Sequence, residues 1–186
     1  IKTYPPDGSA DFRDPKVWRH DGLWFMALGS GKDGKGKVLL YKSRDLSHWH
    51  YVGVAAESDG TQGTIWECPD IFPLGGKYVL VVSPIGAEPR RVIYFVGEMD
   101  YESGKFRAEY VKELDYGPDF YAPQTFFGAE RRILLAWMDS WEANIVSKKD
   151  NWAGALTLPR ELTLDSNGHL RIHPLPELKQ DRKSVV

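Results

Sequence analysis

The sequence predicts an all-β fold, and three observations lead to that prediction. Aromatic residues make up 13% of the 186 residues, alongside 18 glycines and 12 prolines, a composition that favours short strands and turns. No stretch shows a useful length of helical 3.6-residue periodicity. A proline-centred segment recurs three times, and Pro15, Pro69 and Pro123 are spaced 54 residues apart. A repeat of about 50 residues built from strands is typical of a β-propeller blade.

The recurring segment predicts the first strand of each blade. Each copy has one aromatic residue three positions before its proline and another three positions after it. The copies span 12–18, 66–72 and 120–126. Because the first strand of each propeller blade lines the central channel, we expect the residues next to these prolines to converge on one axis.

Three further strands follow in each repeat at matching offsets. Second strands are predicted at 23–28, 77–82 and 132–137, after polar or glycine-rich turns that suit hairpins. Third strands are predicted at 37–41, 91–95 and 155–158. Fainter fourth strands are predicted near 49–54, 106–111 and 170–173. The pattern therefore predicts three four-stranded antiparallel blades.

Three blades cannot close a ring, since propellers have about four to eight. The sequence therefore predicts a partial β-propeller domain over 1–178, with repeats at approximately 11–62, 66–117 and 120–173, and a polar tail or truncated linker at 179–186. Incomplete closure leaves two blade faces uncovered, so we expect self-association or marginal stability of the chain by itself.

The composition limits the classes of partner that the chain is expected to bind. With 24 basic and 26 acidic side chains, the chain is not expected to bind nucleic acid or a membrane surface, and no apolar run approaches the roughly 20 residues of a membrane span. A single cysteine excludes an internal disulfide framework, which suits a cytoplasmic protein and leaves secretion open. No metal or other cofactor is expected, because His48 and His50 have no third ligand nearby in sequence.

The positions just before the prolines hold the candidate catalytic groups. Asp14 and Glu67 form a candidate carboxylate pair of the kind that glycoside hydrolysis needs. Arg13 is expected to hold Asp14 ionised, and Glu67 is expected to be desolvated enough to act as an acid. Period-two alternation would direct the two carboxylates to opposite faces unless a bulge intervenes. A structural ion-pair network is the open alternative.

Five sequence blocks resemble the signature blocks of glycoside hydrolase family 32, which contains invertases, inulinases, levanases and sucrose-6-phosphate hydrolases. They are Phe-Arg-Asp-Pro-Lys-Val-Trp at 12–18, Trp-Glu-Cys-Pro-Asp at 66–70, Phe-Tyr-Ala-Pro-Gln-Thr-Phe at 120–126, Trp-Met-Asp-Ser-Trp at 137–141 and Leu-Thr-Leu-Pro-Arg-Glu-Leu at 156–162. The resemblance implies a five-bladed propeller followed by a β-sandwich, and retaining hydrolysis of β-fructofuranosyl linkages.

The same resemblance implies a role for each site residue. Glu67 would be the general acid/base and Asp14 the stabiliser of the transition state. Arg13, Tyr121 and Trp141 would bind the fructoside substrate. Next to Glu67, Cys68 is expected to be a buried neighbour that tunes it. Sucrose, sucrose 6-phosphate, inulin and levan all remain open as substrates.

One part of the family pattern is missing. The nucleophile in the family is an aspartate in a Trp-Met-Asn-Asp-Pro-Asn block on the first blade, and this sequence has no such block. What remains resembles blades three to five. Without a nucleophile a retaining enzyme cannot form its covalent intermediate, so we expect this chain alone to be inactive. A non-catalytic carbohydrate-binding or regulatory module is the alternative. A third hypothesis is an enzyme of a neighbouring propeller family that acts on arabinans, and the Arg-Asp-Pro and Glu-Cys blocks argue against it.

Overall fold

A computed structural model describes residues 1–89, 91–128, 130–139 and 144–180. These residues form an almost entirely β structure, which confirms the predicted fold class. The first sheet contains β1 (Phe12–His20), β2 (Leu23–Lys32), β3 (Lys35–Ser43) and β4 (His50–Glu57). The second contains β5 (Ile65–Leu74), β6 (Lys77–Ile85), β7 (Ile93–Asp100) and β8 (Lys105–Glu113). The third contains β9 (Tyr121–Gly128), β10 (Arg131–Met138), β11 (Ala155–Leu156), β12 (Arg160–Leu164) and β13 (Leu170–Pro174).

Two short 3₁₀ helices complete the described structure, at Val146–Asp150 and Pro176–Lys179. In the part of the chain that the structure describes, no helix is long and apolar enough to cross a membrane. Most of the predicted tail at 179–186 lies outside the described residues, since the description ends at residue 180. The domain boundaries therefore stay a prediction.

The first two sheets are simple antiparallel meanders, in the order β1-β2-β3-β4 and β5-β6-β7-β8. Tight turns join their first two strands. Asp21 and Gly22 have φ of 45° and 80°, and Gly75 and Gly76 have φ of 57° and 83°. Two successive positive φ values are typical of type I′ hairpin turns, which match the twist of the strands they join. The turns predicted at both places are confirmed.

The third sheet differs from the prediction in one strand. The third strand predicted at 155–158 is only partly confirmed: Ala155–Leu156 (β11) pair with the end of β10, and Arg160–Leu164 (β12) continue along the same side of β10. Burial explains the difference, because Leu162 is 1% exposed whereas Leu156 and Leu158 are 69% and 67% exposed. The buried leucine therefore places the longer part of this strand at 160–164.

Hydrophobic cores lie between neighbouring sheets. Trp66 of β5 is fully buried in the first of them, together with Phe25 and Leu40 of the first sheet and Leu80 of the second. A Cβ atom on Gly29 of β2 would lie 2.3 Å from the carbonyl oxygen of Trp66. Glycine therefore permits β2 to approach β5 closely. The second core joins Phe72 and Val81 to Leu134 and Leu162 of the third sheet in the same way. This packing brings the inner strands β1, β5 and β9 together.

Exposed apolar side chains concentrate on the third sheet and its loops. They are Phe126, Phe127, Met138, Val146, Trp152, Leu156 and Leu158, each between 48% and 69% exposed. Apolar surface of this extent favours association. We therefore expect the chain to self-associate at micromolar concentration in sedimentation velocity experiments, and Leu156→Lys with Leu158→Lys to shift it towards monomer. Val111→Lys, on β8, is the matched control. A wild-type chain that sediments as a monomer at all concentrations would contradict the prediction.

Candidate active site

A cavity of about 460 Å³ opens where the inner strands of the three sheets meet. Its lining residues come from β1, β5, β9 and β10, and they are Arg13, Asp14, Glu67, Cys68, Tyr121, Ala122 and Trp137. Six of the seven occupy two adjacent positions of the repeat, one pair in each inner strand. The convergence predicted for the residues before the prolines is therefore present.

A β-bulge at the same place in each inner strand lets both positions face the cavity. In β1 the pairing with β2 shifts between Arg13 and Lys16, and in β5 the pairing with β6 shifts between Glu67 and Asp70. The pairing of β9 with β10 shifts at the equivalent point. One extra residue in the inner strand interrupts the period-two alternation. The bulge therefore reconciles the positions of Asp14 and Glu67, which regular alternation would have separated.

The bulge depends on an unusual backbone conformation just before each proline. Asp14, Cys68 and Ala122 have φ of 60°, 49° and 49°. Positive φ is uncommon for residues other than glycine and costs of order 1–3 kcal/mol each. The proline that follows has no N–H to contribute to a strand ladder, and bulges are among the few sheet positions where proline is found. The recurring proline thus marks the bulge in all three blades.

Glu67 is held from both sides by the equivalent residues of the neighbouring blades. Arg13 Nε donates to Glu67 Oε1 at 2.8 Å, and the Tyr121 hydroxyl donates to Oε2 at 2.5 Å. Glu67 is 9% exposed and Tyr121 is 3% exposed. The hydrogen bond to Glu67 raises the pKa of Arg13 above its ordinary value. The carboxylate therefore has a defined orientation at the wall of the cavity.

Asp14 is held through the backbone of the next blade. The Cys68 N–H donates to Asp14 Oδ2 at 3.0 Å, and the Cys68 thiol donates to the same oxygen at 3.4 Å. The pairing expected for Arg13 is wrong here, whereas the tuning of Glu67 by Cys68 stays a prediction. Arg13 pairs with Glu67 and with Asp11, rather than with Asp14. The hydrogen bonds of Cys68 go to Asp14 and not to Glu67, because the bulge turns Cys68 towards the first blade.

The position of Cys68 predicts low thiol reactivity. Burial, together with the charge on Asp14, raises the pKa of the Cys68 thiol to about 12. Because the thiolate is the nucleophile, we expect iodoacetamide at pH 8 to react about a thousandfold more slowly with the folded chain than with the denatured chain. Asp14→Asn should speed the reaction by removing the nearby charge. Equal rates for folded and denatured chain, measured by mass spectrometry, would exclude this environment.

A second set of equivalent residues lies further along the inner strands. Lys16 Nζ donates to Asp70 Oδ2 at 3.2 Å, to Gln124 Oε1 at 3.1 Å and to the Thr125 carbonyl at 2.6 Å. Asp70 is fully buried, and burial raises its pKa although Lys16 and the Thr125 N–H act against that rise. Sequence analysis did not select these residues. The repeat spacing could have identified them, since Lys16, Asp70 and Gln124 are also 54 residues apart.

Two further expectations concern Trp141 and the histidines at 48 and 50. Trp141 lies outside the described residues, whereas Trp137 on β10 lines the cavity and was missed as a site residue. His48 lies at another cavity, of about 450 Å³, and its Nδ1 is 2.8 Å from Asp45 Oδ2. Within the described ranges, no group of three histidine, cysteine, aspartate or glutamate side chains is arranged to hold a metal ion.

Comparisons with known proteins identify the family of the chain. The family model described as the N-terminal domain of glycosyl hydrolases family 32 matches residues 1–174. A sucrose-6-phosphate hydrolase from Escherichia coli is 40% identical over 199 residues, which cover 97% of this chain and 40% of that protein. A sucrose-6-phosphate hydrolase from Bacillus subtilis is 43% identical over 201 residues, which cover 99% of this chain and 42% of that protein.

Solved structures give the same result for the fold. A GH32 β-fructofuranosidase from Bombyx mori superposes with a TM-score of 0.91 and 43% sequence identity, over 97% of this chain and 41% of that one. A mutant of the same protein, solved in complex with sucrose, superposes with a TM-score of 0.92. The chain thus spans about two fifths of the length of these relatives. Its three sheets are part of a β-propeller, and the chain belongs to glycoside hydrolase family 32.

Proposed function

We propose that this chain forms the part of a retaining β-fructofuranosidase that binds the fructosyl unit and supplies its general acid/base, Glu67. The observation that carries the proposal is the double hold on Glu67, by Arg13 and Tyr121, at the wall of a cavity that also contains Asp14. A carboxyl group fixed by two donors from flanking blades suits proton transfer, which requires a defined direction.

Glu67 would carry two proton transfers. It would protonate the glycosidic oxygen as the bond to the leaving group breaks, and then take a proton from the water that attacks the fructosyl intermediate. Tyr121 and Arg13 fix the side chain without blocking it, since each occupies one of its oxygens and a carboxylate has about four lone-pair sites.

Asp14 would stabilise the transition state by accepting hydrogen bonds from fructosyl hydroxyls. Both hydrogen bonds to its carboxylate within the described residues fall on Oδ2. Its other oxygen, Oδ1, is therefore the one available to a sugar. Trp137 and Ala122 contribute apolar surface to the same cavity. Apolar wall with a few convergent polar groups is typical of small-molecule sites.

The covalent step requires a nucleophile that the described lining residues do not supply, since their carboxylates are Asp14 and Glu67. We therefore expect no hydrolysis by this chain alone. The relatives are described as sucrose-6-phosphate hydrolases and a β-fructofuranosidase, which supports sucrose and sucrose 6-phosphate as first substrates to examine. Inulin and levan are further candidate substrates, because the family also contains inulinases and levanases.

The test compares the chain alone with a completed enzyme. In the completed enzyme, the chain is fused behind the segment of the Bacillus subtilis relative that precedes the matched region. We expect the fusion to release glucose from sucrose or glucose 6-phosphate from sucrose 6-phosphate, and the chain alone to release neither. Turnover by the chain alone, abolished by Glu67→Gln, would show that the nucleophile lies within it. A folded fusion that binds fructose without hydrolysis would favour a non-catalytic carbohydrate-binding module.

A further inference from the structure

Gln124 connects the buried Lys16–Asp70 pair to the cavity. Its Oε1 accepts a hydrogen bond from Lys16 Nζ at 3.1 Å, and its Nε2 donates to the Cys68 carbonyl at 3.1 Å. A lysine ammonium can only donate. Lys16 therefore determines which end of the amide faces it, and so directs the Nε2 of Gln124 to Cys68.

Lys16 is itself fixed by the surroundings of Asp70. Its three partners, Asp70 Oδ2, Gln124 Oε1 and the Thr125 carbonyl, match the three N–H donors of an ammonium group. Asp70 Oδ2 accepts a further hydrogen bond from the Thr125 N–H at 2.6 Å. Lys16 and Gln124 are half-buried and Asp70 is fully buried. These contacts leave the Gln124 amide little freedom to turn.

Cys68 is hydrogen-bonded on both sides of its Cα atom. Its N–H donates to Asp14 Oδ2 and its carbonyl accepts from Gln124. Its φ of 49° is a conformation that a residue other than glycine keeps only when its surroundings require it. The two hydrogen bonds therefore depend on one another. Releasing the carbonyl lets Cys68 relax, and its N–H then no longer points at Asp14.

We propose that Gln124 is a positioning residue that fixes the Asp14 carboxylate through the backbone of Cys68. Gln124 is not among the residues that line the cavity, so it acts without touching a bound sugar. Glutamate at this position keeps the size of the side chain and strengthens the contact with Lys16. It cannot donate to the Cys68 carbonyl. Gln124→Glu therefore removes the hydrogen bond to Cys68 while it keeps the size of the side chain and its contact with Lys16.

The experiment uses the ¹⁵N-labelled 186-residue chain and two readouts. The amide proton shift of Cys68 reports its hydrogen bond to Asp14, and titration with fructose reports the site. In Gln124→Glu we expect the Cys68 amide proton to move upfield and fructose binding to weaken about fivefold to tenfold. Gln180→Glu, the same change at an exposed position near the end of the described chain, should leave both unchanged.

The fructose titration and the Cys68 amide shift test different claims. The fructose titration rests on the proposed function, so a wild-type chain that does not bind fructose counts against that function and leaves the amide shift to decide the positioning role. An unchanged Cys68 amide shift in Gln124→Glu overturns the positioning role whatever the fructose result. Gln124→Met removes the same donor without adding charge, and it gives the same expected shift if the glutamate variant does not fold.

Discussion

Replacing Glu67 with glutamine should lower kcat/KM for sucrose or sucrose 6-phosphate by about 10²- to 10⁴-fold in the fusion described above, which is the range that general acid–base catalysis contributes. Glutamine keeps the volume of the side chain and can accept hydrogen bonds from Arg13 or Tyr121, but it cannot transfer a proton. With a fructoside that has a nitrophenol leaving group, Glu67→Gln should slow the bond-breaking step less, because a good leaving group needs less protonation.

Two further variants control for this result. Tyr121→Phe removes one donor from Glu67 and keeps the acid, so we expect a loss of about tenfold to hundredfold, the size of a hydrogen bond to a charged group. Glu102→Gln makes the same chemical change at an exposed turn between β7 and β8 and should leave the rate unchanged. If Glu67→Gln retains more than a tenth of wild-type kcat/KM, Glu67 is not the acid/base. Initial rates with both leaving groups are the measurement.

Replacing Lys16 with methionine should lower the free energy of unfolding by about 3–5 kcal/mol, because it leaves a buried charge without its partner. The Asp70 side chain is 1% exposed, and Lys16 is its cation at 3.2 Å. Methionine fills much of the space of the lysine stem without supplying a positive charge. Urea unfolding, at a concentration where sedimentation shows a monomer, is the measurement.

The effect of Lys16→Met should depend on pH in a defined direction. Burial raises the pKa of Asp70 in the folded chain above its unfolded value, and loss of Lys16 raises that pKa further. A carboxyl group shifted upwards stabilises the fold below its unfolded pKa, and that contribution is lost as pH rises through the folded pKa. The destabilisation of Lys16→Met should therefore be largest at neutral pH and shrink as pH falls towards about 4.

The double variant identifies the cause. Asp70→Asn combined with Lys16→Met removes both charges and keeps an oxygen for the Thr125 N–H, so it should recover most of the lost stability. Lys148→Met, at an exposed position of the first 3₁₀ helix, should change the free energy of unfolding by less than about 0.5 kcal/mol. A double variant no more stable than Lys16→Met would mean that lost packing, not the unpaired charge, causes the effect.

Much of this protein follows from the sequence because the relevant signals are local or periodic. The spacing of Pro15, Pro69 and Pro123 predicts three inner strands. Runs of β-branched and aromatic residues after polar turns predict the strands that follow them. The same spacing selects Arg13, Asp14, Glu67 and Tyr121 as residues that meet at one place, because equivalent positions of a radial repeat converge on its axis.

Only the tertiary structure decided which of these residues touch. Alternation along a strand does not reveal a bulge, yet the bulges at Asp14 and Cys68 turn both repeat positions towards the cavity. As a result, Arg13 forms an ion pair with Glu67 and not with Asp14. Packing also extended the third strand of the last blade beyond the predicted 155–158 to Arg160–Leu164, because Leu162 reaches the core between the blades. Contacts between blades depend on how the sheets pack and bend, and the sequence of one strand does not contain that information.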